Sequence, residues 1–370
     1  MTANAHPTLE EMWLSLDVAG ALFGRAYGRA PLRYRDVQAV LDQFGCAVAL
    51  VEFFDVPNGV RAFVLRSGDK QPRVIEWECP KARLEYLLQT YYRELVQYQQ
   101  YGPDQRWQEL ASPFIQSVLP ALEGVELLYL IPHGMWAYLP FHALGANGGL
   151  LIEKFPIVYA PSANVFTRIL RHSSQAARLR NVLVVGNPTL DLEHAEDEAE
   201  WVAGYFGVRP YLGREATKIK IRAQLPDKDL IHVASHGFFH ANAPFQSGLL
   251  MAGKRILNVD DINAAHIQAD LVTLSACESG LNDPFTPAQS AGLSRAFLES
   301  GASSVLGTLW RVVDETTTLF MSVFYKLLCD GAGHKLNTKA AALQQAMLTL
   351  RGQKEHPYYW AAYTLTGSWR

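Results

Sequence analysis

Cysteine is sparse in this chain. Four occur in 370 residues, at Cys46, Cys79, Cys277 and Cys329, and no two form a CxxC pair. That spacing argues against a disulfide framework or a zinc site and suits reduced thiols in a cytoplasmic setting. Long apolar runs are missing as well: no stretch approaches the ~18 consecutive apolar residues of a membrane span. The start Met1-Thr2-Ala3-Asn4-Ala5-His6-Pro7 has neither the basic nor the apolar region of a secretory leader. Direct membrane contact is therefore not expected. Nor is one sign of charge in excess. A formal net charge of −3 gives no global pull toward nucleic acid or anionic lipid.

What remains is the composition of an ordered protein, with 49% apolar and 19% charged residues, long enough for one large or two moderate cores. Residues 1–33 read as an irregular lead-in with a short helix around Leu9 to Leu22. From Ala47 the pattern predicts an antiparallel meander: Ala47–Asp55, Val60–Arg66 and Arg73–Glu78, separated by Pro57-Asn58-Gly59 and Ser67-Gly68-Asp69. Leu84, Leu87, Leu88, Tyr91 and Leu95 then mark one buried helix face. A helix from Trp107 to Leu122, a buried strand Val125–Ile131 and two extended pieces around Pro156 follow. The basic stretch Arg168–Arg180 reads as a linker.

Beyond it, strands at Val182–Gly186, Leu230–Ala234, Leu271–Ser275 and Ser304–Leu309 alternate with helices, the first running Asp191–Phe206. A hairpin is expected around Gly253-Lys254, helices over Glu315–Leu328 and Thr338–Arg351, and a last strand within Tyr359–Ser368. Such alternation predicts an α/β fold with a mostly parallel sheet and helices on both faces.

Two strand ends, 41 residues apart, carry the chemistry-bearing residues. The run Asp229 to Gly237 delivers His236-Gly237; the run Ala269 to Gly280 delivers Cys277-Glu278-Ser279-Gly280. Open α/β sheets place their sites at carboxyl strand ends, and a thiol beside an imidazole is the minimum equipment of a cysteine peptidase. Taken alone, a cysteine is most often a small buried hydrophobe and a histidine a hydrogen-bonded structural residue. Their position after apolar runs, each near a glycine, favours function. Cys46, Cys79 and Cys329 have no such surroundings.

His232, His236 and His240 are spaced for one helix face, but Ile231, Val233 and Gly237 argue for a strand. On a strand, His232 and His236 lie about 13 Å apart, too far for one ion. No metal site is expected. Gly186-Asn187-Pro188 follows a strand without a GxGxxG or P-loop pattern, so no phosphate-binding cofactor is expected either. The run Leu127 to Gly134 mirrors Leu230 to Gly237, which suggests a duplicated unit whose first copy lacks the cysteine.

These blocks resemble the CHAT family of caspase-like cysteine peptidases, relatives of caspases, metacaspases and separases. The carrying residues are His232 to Gly237, Leu274 to Gly280, Ala291 to Ala302, Gly307 to Asp314, Tyr359 to Gly367, and Ile131-Pro132-His133-Gly134 with Leu139-Pro140-Phe141. The resemblance covers roughly residues 35–370. It implies a caspase-like domain over 179–370, preceded by a smaller, non-catalytic α/β subdomain over 34–178. It further implies a His236–Cys277 dyad, an oxyanion hole from the N–H groups of Gly237 and Cys277, and no cofactor or metal. A third orienting carboxylate is not assigned.

Metacaspases that cut after Arg or Lys carry an Asp two residues before the cysteine. Here that residue is Ser275, so a basic preference does not carry over. Ser275, Trp310, Arg311 and Asp314 are the substrate-binding candidates, although Asp314 serves equally as a helix N-cap. The resemblance implies a protein substrate, with an activating or recruiting protein as a further partner, and no direct contact with nucleic acid or membrane. Family association adds bacterial signalling or defence, with gasdermin-like pore formers among the targets. The rival is a catalytically silent scaffold.

Overall fold

The computed structural model describes residues 32–56, 59–97, 106–133, 136–137, 139–172, 179–238, 246–277, 289–310, 314–329 and 338–370. The expected lead-in helix, Leu9 to Leu22, lies outside them.

Helix α1 (Tyr34–Leu41) buries Val37, Val40 and Leu41 and leads into the meander β1 (Val48–Val56), β2 (Gly59–Arg66) and β3 (Arg73–Glu78). Both pairings are antiparallel, with Val51 opposite Val64 and Phe63 opposite Val74. Leu84, Leu87, Leu88, Tyr91 and Leu95 are all buried. They lie on α2 (Lys81–Tyr91) and the π-helical turn Tyr92–Val96 that continues it. Next come α3 (Arg106–Val118), β4 (Leu127–Ile131), α4 (Leu151–Lys154), β5 (Ile157–Tyr159) and α5 (Ala163–His172).

Two expectations fail here. Of the two extended pieces around Pro156, the first is the helical turn α4, in which Glu153 accepts from the Leu150 N–H. The supposed linker begins inside α5, which buries Phe166 and Ile169 and whose Arg168 donates to the Leu298 carbonyl. Its basic residues hid an apolar stripe.

The remaining elements are β6 (Val182–Gly186), α6 (Glu193–Phe206), β7 (Tyr211–Leu212), α7 (Lys218–Gln224), β8 (Leu230–Phe238), β9 (Gly248–Met251), β10 (Arg255–Asn258), α8 (Val259–Asn263), β11 (Leu271–Cys277), α9 (Gln289–Ser300), β12 (Ser304–Thr308), α10 (Asp314–Cys329), α11 (Lys339–Gln353), α12 (Pro357–Trp360) and β13 (Tyr363–Gly367). Among the described residues no helix is long and apolar enough to cross a membrane.

The strands join one sheet in the order β10-β9-β8-β11-β12-β13-β5-β4-β1-β2-β3, with β6 beside β8 and β7 beside β6. It is an α/β sheet of mostly parallel pairs with helices packed on it. Strands β6, β8, β11 and β12 run parallel, as do β13, β5, β4 and β1. The two sets meet at the antiparallel pair β12–β13 and so run in opposite senses. In consequence His133, after β4, and His236, on β8, stand at opposite edges of the sheet. Runs such as Val182–Val185 and Leu127–Ile131 are buried throughout, as strands covered on both faces must be.

Candidate active site

Backbone register assembles the site. Strands β8 and β11 are parallel neighbours from Leu230 opposite Leu271 to His236 opposite Cys277. Both strands extend further than the sequence pattern indicated, so His236 and Cys277 sit within paired backbone. Adjacent strands lie about 4.8 Å apart, which makes the two residues lateral neighbours at one carboxyl edge. The Cys277 backbone is described; its side chain lies outside the described residues.

His236 is about one-fifth exposed, and its Nε2 lies 3.1 Å from Asp191 Oδ1. Sequence reasoning missed this carboxylate by placing Asp191 at the start of a helix, whereas α6 begins at Glu193. A loop built by Asn187 delivers it. Asn187 takes a left-handed conformation at φ 45°, one that short polar side chains tolerate. Its N–H donates to the Ala234 carbonyl of β8 at 3.0 Å, its Oδ1 accepts from the Leu192 N–H at 2.9 Å, and its Nδ2 donates to Glu196 at 3.0 Å. Gly186 is required just before it, because a Cβ there would lie 2.4 Å from the Ala199 Cβ. Gly186-Asn187-Pro188 is thus a device for carrying the chain back over the edge of β8.

The Thr189 hydroxyl donates to the same Asp191 oxygen that faces His236. Thr189 first, and His236 after it, hold the Asp191 carboxyl below the usual carboxylate range. An ionised Asp191 can only accept, so Nε2 carries a proton and Nδ1 is the ring nitrogen left for base chemistry.

The other candidates separate clearly. Gly237 lies buried within β8, opposite Leu249 of β9, so the strand runs on through it. Ser275 is half-buried, and its Oγ donates to Glu198 Oε2 of α6 at 2.9 Å. Trp310 is a correction: its side chain is 1% exposed and its indole N–H donates to the Tyr358 carbonyl at 2.9 Å. That ring belongs to the core, and direct contact with a peptide is closed to it. Arg311 lies outside the described residues. Asp314 is the first residue of α10, and its side chain also lies outside them. Among the described residues no three His, Cys, Asp or Glu side chains cluster as metal ligands. In the first half, His133 Nε2 lies 3.0 Å from Glu52 Oε1 of β1, a separate pair at the far edge.

The mostly parallel sheet with its covering helices is a caspase-like α/β fold. The separase of the Saccharomyces cerevisiae separase–securin complex has a similar one: TM-score 0.59 over 90% of this chain and 30% of that chain, at 12% identity. Residues 104–368 match the CHAT domain, and the chain belongs to the CHAT-domain family. Tetratricopeptide repeat protein 28 of Mus musculus and of Homo sapiens are each 25% identical to it, over 302 and 303 residues. Each match takes in 65% of this chain, which spans about 12% of either relative's length.

Proposed function

We propose that this chain is a cysteine endopeptidase that cleaves a protein partner through His236 and Cys277. The observation that carries the proposal is the backbone register setting these two residues side by side at one carboxyl sheet edge. His236 Nδ1 takes the thiol proton, and the sulfur attacks the scissile carbonyl carbon. The N–H groups of Gly237 and Cys277 receive the developing oxyanion. His236 then passes its proton to the leaving nitrogen as the C–N bond breaks. Water adds to the acyl-enzyme, gives a proton to His236 and releases the thiolate. Asp191 fixes the ring orientation and stabilises the imidazolium.

Substrate lies along the ends of β8 and β11, and Ser275, Arg311 and Asp314 are its contact candidates. Residues 34–178 serve as a non-catalytic half and 179–370 as the catalytic one. A second protein recruits or activates the enzyme, by likeness to a fold neighbour crystallised with securin. A cytoplasmic setting in bacterial signalling or defence follows from family association alone. The rival reading is a catalytically silent scaffold with the same fold.

The test is a comparison of new protein N-termini in lysate treated with wild type and with Cys277→Ala. Internal cleavages made only by wild type support the peptidase. Identical profiles would favour the scaffold.

A further inference from the structure

Deeper on the same strands lies a polar chain that the mechanism leaves unused. Ser275 Oγ donates to Glu198 Oε2 at 2.9 Å. Glu198 Oε1 lies 3.1 Å from His232 Nε2, off the line of a hydrogen bond, as an electrostatic contact. His232 Nδ1 lies 3.0 Å from the Tyr325 hydroxyl, which donates to Thr273 Oγ1 at 2.8 Å. The Glu198 side chain is 4% exposed and that of His232 0%. Burying a carboxylate costs hydration that an apolar residue on α6 would not lose, so its presence calls for a use.

Position supplies one. Ser275 stands one pleat before Cys277, about 6.6 Å along the strand. A side chain next to a carbonyl under attack by Cys277 spans that distance if it has a stem as long as that of lysine. The single proton of Ser275 is committed to Glu198, so toward an arriving side chain its Oγ offers lone pairs only. The group directly behind it is the Glu198 carboxyl, with His232 on its far side. A cationic donor gains from both features. A carboxylate is repelled by both, and an apolar side chain leaves the hydroxyl dry and unmatched.

We propose that Glu198, acting through Ser275, makes the site select lysine or arginine as the residue whose carbonyl Cys277 attacks. The proposal rests on the peptidase reading and supplies from α6 the carboxylate that the strand position itself lacks. Glu198 is a positioning residue, not a catalytic one.

The test uses the full chain and peptidyl acyloxymethyl ketones that differ only in the residue beside the reactive carbonyl. Mass spectrometry follows the rate of capture at Cys277. Arginine and lysine probes should react at least tenfold faster than leucine, aspartate and glutamate probes. Glu198→Gln should cut the arginine-to-leucine ratio about tenfold, chiefly through weaker binding. Its reaction with iodoacetamide should be unchanged, a readout that structural damage would move. Ser275→Ala, which keeps Glu198 but removes the hydroxyl between it and the arriving side chain, should give the same loss. Capture led by acidic or apolar probes, or a ratio unmoved in both variants, overturns the proposal and leaves the peptidase standing. Failure of every probe, with Cys277 also inert to iodoacetamide, overturns both.

Discussion

Replacing Asp191 with Asn tests the third member of the site without needing a substrate. The change keeps shape and removes one charge 3.1 Å from His236 Nε2. Coulomb's law at that distance, with the dielectric of water, gives about 1.3 kcal/mol in favour of an imidazolium. The Asp191 side chain is 62% exposed, so solvent screening holds the effect near the lower limit, about 1 kcal/mol. A protonated His236 in turn stabilises a Cys277 thiolate. Asp191→Asn should therefore make the thiolate–imidazolium pair less populated and slow alkylation of Cys277 by iodoacetamide roughly fivefold near neutral pH, the factor that about 1 kcal/mol gives. The assay is quantitative mass spectrometry of the Cys277 peptide between pH 5 and 9. Added salt should narrow the gap between wild type and variant. Coincident pH profiles at low salt would refute the coupling between Asp191 and the dyad.

Other consequences bear on stability. Burial pushes His142 from its ordinary 6.5 down to about 4, partly opposed by its hydrogen bond to the Ala361 carbonyl. The unfolded chain then binds the extra proton first, so stability from a neutral His142 is complete above about pH 6.5 and lost as pH falls toward 4. The loss is about 3 kcal/mol by linkage, and urea titrations should show a flatter slope across that window in His142→Phe. Gly186→Ala should cost about 1–3 kcal/mol in chemical denaturation, since its Cβ meets both the Ala199 Cβ and, at 3.0 Å, the Ala195 carbonyl oxygen. An unchanged midpoint would mean that α6 shifts without resistance.

The parts of the fold legible in the sequence are those written in short-range patterns. Period-2 runs gave the meander, leucine spacing gave α2, and apolar runs closed by His-Gly and Cys gave the strands that form the site. Adjacency of β8 and β11 was also accessible, because consecutive parallel strands in such folds commonly pair. What escaped depends on long-range packing. Glu198 is one of several acidic residues on its helix, and only the docked helix shows it turned inward onto Ser275 and His232. Asp191 reaches His236 through the left-handed turn at Asn187, which no periodicity encodes. The opposite senses of the two halves follow from the antiparallel return of β13 along β12, set some sixty residues after β12 begins. Trp310 was misread because a motif match says where a residue lies, not which way its ring faces.

Selective covalent capture of Cys277 bears on the whole account. A peptide-based electrophile with arginine beside its reactive carbonyl should modify Cys277 and spare Cys46, Cys79 and the exposed Cys329. His236→Ala should slow the reaction at least a hundredfold, as loss of a general base does. Equal labelling of Cys329 and Cys277, or a rate indifferent to His236→Ala, would contradict it.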